Sequence, residues 1–162
     1  MEVSQTSSEV NILTVEASYR IRLPQPLCKR LSWIVGDQPL TAWLLVGSPG
    51  RCRLVSAAEV DSDPALQSLK ARIAEELDAR GNSALEFEGE VSVALIVRLV
   101  EVQLTHHEKS GWRLTLPRPI AAIMQLRPSE SSLAAFFLQG HIEFWTMETL
   151  RSSVSTPLTE II

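Results

Sequence analysis

The chain has 162 residues, and its 45% hydrophobic content is enough to fill a compact core and too high for an intrinsically disordered chain. A formal net charge of −4 and an isoelectric point near 5.4 exclude a uniformly basic surface, so any site for a polyanion must be local. The longest uncharged apolar run is far short of a membrane span, and Met1–Val10 is polar and acidic where a signal peptide would be basic and then apolar, so a cytoplasmic protein is expected.

Residues 1–10 read as a polar tail. Asn11–Val15 is short and rich in β-formers. The next segment, Tyr19-Arg20-Ile21-Arg22-Leu23-Pro24-Gln25-Pro26-Leu27, alternates apolar and polar side chains and then meets proline, which predicts a strand turning into a short helix. Leu27, Leu31 and Ile34 give that helix an apolar stripe. Ala42–Val46 and Arg51–Val55 read as two strands joined by the turn Gly47-Ser48-Pro49-Gly50. Charge is segregated along this stretch: residues 19–53 carry Arg20, Arg22, Lys29, Arg30, Arg51 and Arg53 against Asp37 alone, whereas residues 56–110 are rich in acids.

The clearest helix follows, over residues 63–81. Asp63 suits the N-cap and Pro64 the first helical position, while Leu66, Leu69, Ile73 and Leu77 form a stripe of helical period and Gly81 follows the end. An additional strand is expected within residues 84–98, roughly Glu88–Val97, with Val91, Val93, Leu95, Val97 and Leu99 on one face. Beyond it the apolar set moves to Val100, Val102 and Leu104. That change of parity predicts a bulge or break near Leu99–Val100.

The remainder repeats the first part. Trp112-Arg113-Leu114-Thr115-Leu116-Pro117-Arg118-Pro119-Ile120 aligns without a gap on Tyr19–Leu27, with Ile120, Ile123 and Met124 as the second helical stripe. Ala134–Leu138 matches Ala42–Val46, and His141–Trp145 matches Arg51–Val55 across the turn Gln139-Gly140. Upstream, Leu99–Leu104 matches Asn11–Val15. The expected fold is therefore α+β and β-rich. Two tandem β-β-α-β-β copies, residues 11–62 and 99–151, form a pseudo-twofold barrel with a helix between them, and residues 152–162 are a polar tail.

At these residues the sequence resembles the MraZ-type branch of the AbrB-like swapped-hairpin transcription factors. Glu16-Ala17-Ser18-Tyr19-Arg20 stands where that family has Asp-x-x-x-Arg, Leu23-Pro24 and Leu116-Pro117 match its strand-to-helix step, and Ile142–Leu150 resembles its closing strand and helix. The family has Gly immediately before its Arg, where this chain has Tyr19 and Trp112, and the acid-to-Arg spacing is one longer in the second copy, from Glu108 to Arg113. The resemblance implies a DNA-binding transcriptional regulator, cytoplasmic and nucleoid-associated, that assembles as a homo-oligomer, a dimer or a ring. It implies DNA contacts by Arg20, Arg22, Lys29 and Arg30, with Arg113 and Arg118 as lesser contacts. Arginine suits the task because its planar fork spans O6 and N7 of guanine, while other cations fix register on phosphates.

The competing reading of the same arginines is ordinary solvated charge on strands and helices. It corresponds to an oligomeric interaction module that has kept the fold without the DNA site. His106, His107 and Glu108 with His141 are read as polar residues between strands, since neighbours on a strand point to opposite faces, and no metal or cofactor is expected. No phosphate loop, nucleophile elbow or ordered catalytic triad is present in the sequence, so neither an enzymatic role nor a small-molecule substrate is expected. Cys28 and Cys52 read as free thiols. Trp33, Trp43, Trp112 and Trp145 read as core or interface packing.

Overall fold

Alternation of apolar and polar residues sets the strands, and the computed structural model describes residues 10–80 and 98–153. The first half runs β1 (Asn11–Thr14), a 3-10 turn (Ala17–Tyr19), β2 (Arg20–Arg22), α1 (Gln25–Cys28), β3 (Leu40–Ser48), β4 (Arg51–Ser56), α2 (Ala57–Ser62) and α3 (Pro64–Arg80). The second runs β5 (Leu99–His107), β6 (Gly111–Thr115), α4 (Arg118–Ile123), β7 (Ser132–Leu138), β8 (His141–Thr146) and α5 (147–153). All pairings are antiparallel, in one sheet of order β1-β7-β8-β4-β3-β5-β6-β2. Its end strands β1 and β2 lie against each other, so the sheet is barrel-like and nearly closed. The chain is α+β and strand-rich.

The barrel interior is filled from every strand by alternate residues. Ile21, Leu44, Leu54, Leu104, Leu114, Leu133, Ile142 and Phe144 are fully buried there, and Leu27, Leu31, Ile120 and Met124 close it from α1, α4 and the turns after them. A second cluster lies on the outer face of the sheet, where Val60 of α2 and Leu66 and Ile73 of α3 cover Val55 and Leu99, with Trp43 and Leu45 packed beside them. Asp63 caps α3 by accepting the Ala65 N–H at 2.9 Å, which satisfies one of the free donors of the first turn.

One local expectation is corrected, one is narrowed and one helix is added. Of the bulge or break expected near Leu99–Val100, the bulge is excluded, because the β3–β5 register continues unshifted from Leu40↔Leu104 to Leu45↔Leu99, and β5 begins at Leu99 after a turn residue, Arg98. Within β5, Val102 and Leu104 face the barrel interior while Leu99 faces α3, so both faces of this strand are covered. Lys29 and Arg30 are not helical, since α1 ends at Cys28 with Lys29 as its C-cap. Helix α2 adds to the strands and helix read from the residues of the first copy; Ser56 starts it, accepting the Glu59 N–H at 3.1 Å. The expected strand Glu88–Val97 lies outside the described residues.

Candidate nucleic-acid interface

The prolines that end β2 and β6 leave two short strands paired side by side. Their register sets Arg20 opposite Thr115, Ile21 opposite Leu114 and Arg22 opposite Arg113. Ile21 and Leu114 are buried in the barrel, so alternation turns Arg20, Arg22, Arg113 and Thr115 to the outer face. The ladder is extended at both ends by Leu23 N–H to the Trp112 carbonyl and Leu116 N–H to the Tyr19 carbonyl, each at 2.9 Å. Four expected or aligned positions thus share one small ribbon.

Arg22 facing Arg113 puts like charges directly across a ladder, an arrangement that costs stability unless a counter-charge is near. Glu16 supplies it. Its carboxylate takes the Arg20 Nε at 2.8 Å on one oxygen and the Arg22 Nε at 3.0 Å on the other. The Arg20 hydrogen bond holds the Glu16 carboxyl below its ordinary value, outweighing partial desolvation, with further help from the charges of Arg22, Arg20 and Arg113. Arg113 is steadied differently, donating from Nε and Nη2 to Ser110 Oγ at 3.1 and 2.7 Å.

The turn that carries Glu16 to the ribbon is strained. Ser18 and Tyr19 have φ of 68° and 62°, a left-handed conformation that costs non-glycine residues about 1–2 kcal/mol each. In the second half the corresponding turn uses Gly111 at φ 76°, where glycine removes that cost.

The remaining expected site residues are more dispersed. Arg118 is exposed at the start of α4, and it lines a cleft with Ser18, Tyr19, Thr115 and Pro128 beside the ribbon. Lys29 is exposed at the end of α1. The Arg30 guanidinium sits 4.1 Å over the Phe137 ring, a cation–π contact outside the Glu16 network.

The histidines do not converge. His106 packs at a tilt against Trp112 with ring centroids 4.9 Å apart, and its strand neighbour His107 points to the opposite face. His141 lies in β8 and pairs with Glu59 of α2 at 2.9 Å. Cys28 and Cys52 are both free and buried. Burial pushes the Cys28 thiol up to about 11, and burial together with the Glu143 carboxylate pushes Cys52 up to about 12, so neither is a thiolate nucleophile at neutral pH.

Glu16, Ser110 and Thr115 are the site members that residue-type reasoning about DNA contacts passes over. The signal for Glu16 is its spacing of four from Arg20. No protein-family model and no curated protein matches the chain.

Proposed function

We propose that the chain is a DNA-binding transcriptional regulator of the MraZ/AbrB-like kind, working in the cytoplasm at the nucleoid, with the β2–β6 ribbon as its DNA-facing surface. The observation that carries this reading is the register gathering Arg20, Arg22, Arg113 and Thr115 on one outward face. A two-stranded ribbon fits the major groove, and its arginine forks reach guanine edges there. Arg118, beside Thr115, extends the surface, and Lys29 and Arg30 are assigned to flanking phosphates. The reading needs no catalytic residue, metal or cofactor.

The architecture belongs to the same proposal: two β-β-α-β-β copies over residues 11–62 and 99–151, related by a pseudo-twofold, with residues 63–81 between them. Strand exchange supports it, because β1 pairs with β7 of the other half as β5 pairs with β3. The ribbon register supports it too, because Ile21 faces Leu114, the residue aligned with it in the sequence repeat. Tyr19 stands where the resembled motif has glycine, and it adopts the left-handed backbone that glycine would supply. Assembly into a dimer or ring is retained as a proposal on narrower grounds than open strand edges. The free edges among the described residues are β1 and β2, which touch each other, so the exposed apolar side chains of Val10, Ile12 in β1 and Val35 are what a second copy would cover.

One observation favours the other reading, an assembly module without a DNA site: Glu16 already occupies Arg20 and Arg22. Selection of bound sequences from random duplex DNA separates the two. A regulator enriches a defined site, and Arg20→Ala weakens binding to it; a module enriches none, and light scattering alone then reports its self-association.

A further inference from the structure

Besides the β1–β7, β2–β6 and β3–β5 pairs, the two halves of the chain meet at the β4–β8 pair, which holds the one buried charge among the described residues. Both strands have six residues, Arg51–Ser56 and His141–Thr146, and each ends on a hydroxyl residue that caps the next helix. Ser56 Oγ accepts the Glu59 N–H, and Thr146 Oγ1 accepts the Thr149 N–H, both at 3.1 Å. In register, Arg51 faces Trp145, Cys52 faces Phe144, Arg53 faces Glu143 and Leu54 faces Ile142. The third residue of one strand therefore faces the third residue of the other, and a local two-fold axis passes between Arg53 and Glu143.

At such an axis each strand meets its own counterpart position. Arg53 donates from Nε and Nη2 to Glu143 Oε2 at 2.7 and 2.6 Å. The second oxygen, Oε1, accepts the Trp145 indole N–H at 2.8 Å. Glu143 is 4% exposed, the one buried charged residue among those described. A charge this deep is tolerated only when paired and fully hydrogen-bonded.

We infer that Arg53 and Glu143 are a partner-selection device, which makes β4 pair with β8 and forbids either strand from pairing with its own copy in another molecule. A β4–β4 ladder in this register would set Arg53 against Arg53, and a β8–β8 ladder would bury Glu143 against Glu143. Only the mixed pair is neutral. Cys52, Leu54, Ile142 and Phe144 are all apolar and buried and would fit like-with-like pairing equally well, so the charge discrimination rests on Arg53 and Glu143, with the Arg51 guanidinium 4.3 Å over the Trp145 ring as a second contact that the mixed pair makes. The inference stands on strand register and burial and does not depend on the DNA-binding reading.

Two full-length variants test it, Arg53→Glu and Glu143→Arg. Each alone sets like charges face to face, and its thermal midpoint is expected to fall by about 10 °C. Unfolded together and refolded as a 1:1 mixture, they can exchange strands, so that Glu at 53 of one chain meets Arg at 143 of the other while the native Arg53–Glu143 pair forms at the second seam. The expected result is a 1:1 mixed dimer by native mass spectrometry, with a midpoint several degrees above that of the same two proteins refolded apart and then mixed. The charge-reversed double variant R53E/E143R should recover a similar part of the loss within one chain. If the single variants are insoluble alone, co-expression should restore soluble mixed dimer. A co-refolded or co-expressed mixture no more stable and no richer in mixed dimer than the control overturns the inference.

Discussion

At the β2–β6 ribbon Arg22 faces Arg113, whereas at the β4–β8 seam Arg53 faces Glu143. Both are antiparallel pairs joining the first half of the chain to the second, and both place aligned or counterpart positions opposite each other. They differ in solvent. The Arg22 side chain is 56% exposed, so water screens the repulsion and one acid from a neighbouring turn is enough to hold the cluster. Glu143 has no such shelter and needs a charged partner and an indole N–H at once. The exposed junction can therefore hold excess positive charge, while the buried one must be neutral to form.

The largest test of that contrast is Arg53→Ala, which strands Glu143 in the interior and should cost about 3–5 kcal/mol in urea unfolding. Arg113→Ala, at the exposed junction, should change stability by less than about 0.5 kcal/mol. Equal effects would dissolve the distinction between the two junctions.

Glu16→Gln comes next. Freeing Arg20 and Arg22 should tighten DNA binding on the order of a few-fold, since an exposed ion pair is worth about 0.2–1 kcal/mol. Its stability effect has a fixed sign with pH. The folded carboxyl is held below its ordinary value, so the advantage of wild type over Glu16→Gln is present above about pH 4.3 and is lost as pH falls through the folded value. A difference that grew on acidification would contradict the ion-pair geometry.

The smallest expected effect is at the strained turn. Ser18→Gly removes the left-handed penalty but adds freedom to the unfolded chain, so a net gain of less than about 1 kcal/mol is expected by thermal unfolding. Gly111→Ser, the reciprocal change in the second half, should lose a comparable amount.

Local chemistry made much of this fold readable. Asp63-Pro64 and the Leu66, Leu69, Ile73 and Leu77 stripe define α3, and the gapless match of Tyr19–Leu27 to Trp112–Ile120 foreshadows strands that end at proline and lie side by side. Helix α2 was readable in principle, because Ser56-Ala57-Ala58-Glu59 has capping-box spacing, but with Val60 as its one buried residue it lacks an apolar stripe. The parity change at Leu99–Val100 left a bulge and a break both open because period-2 reasoning assumes one covered face, whereas both faces of β5 are covered. Of the site, Arg20, Arg22 and Arg113 were legible as arginines of matched strands. The Arg53–Glu143 pair was not, because its partners are 90 residues apart and only the closed sheet brings them into register.

The proposed meeting of the β2–β6 ribbon with duplex DNA can be measured by fluorescence anisotropy on the selected duplex across a range of salt concentrations, comparing the full-length protein with Arg22→Ala and Arg113→Ala. Wild-type affinity should fall steeply as salt rises, and each substitution should weaken binding. A substitution that removes a phosphate contact should also flatten the log–log slope by about 0.9 per lost contact. Binding that is absent, or that is insensitive both to salt and to these two substitutions, would contradict the proposal.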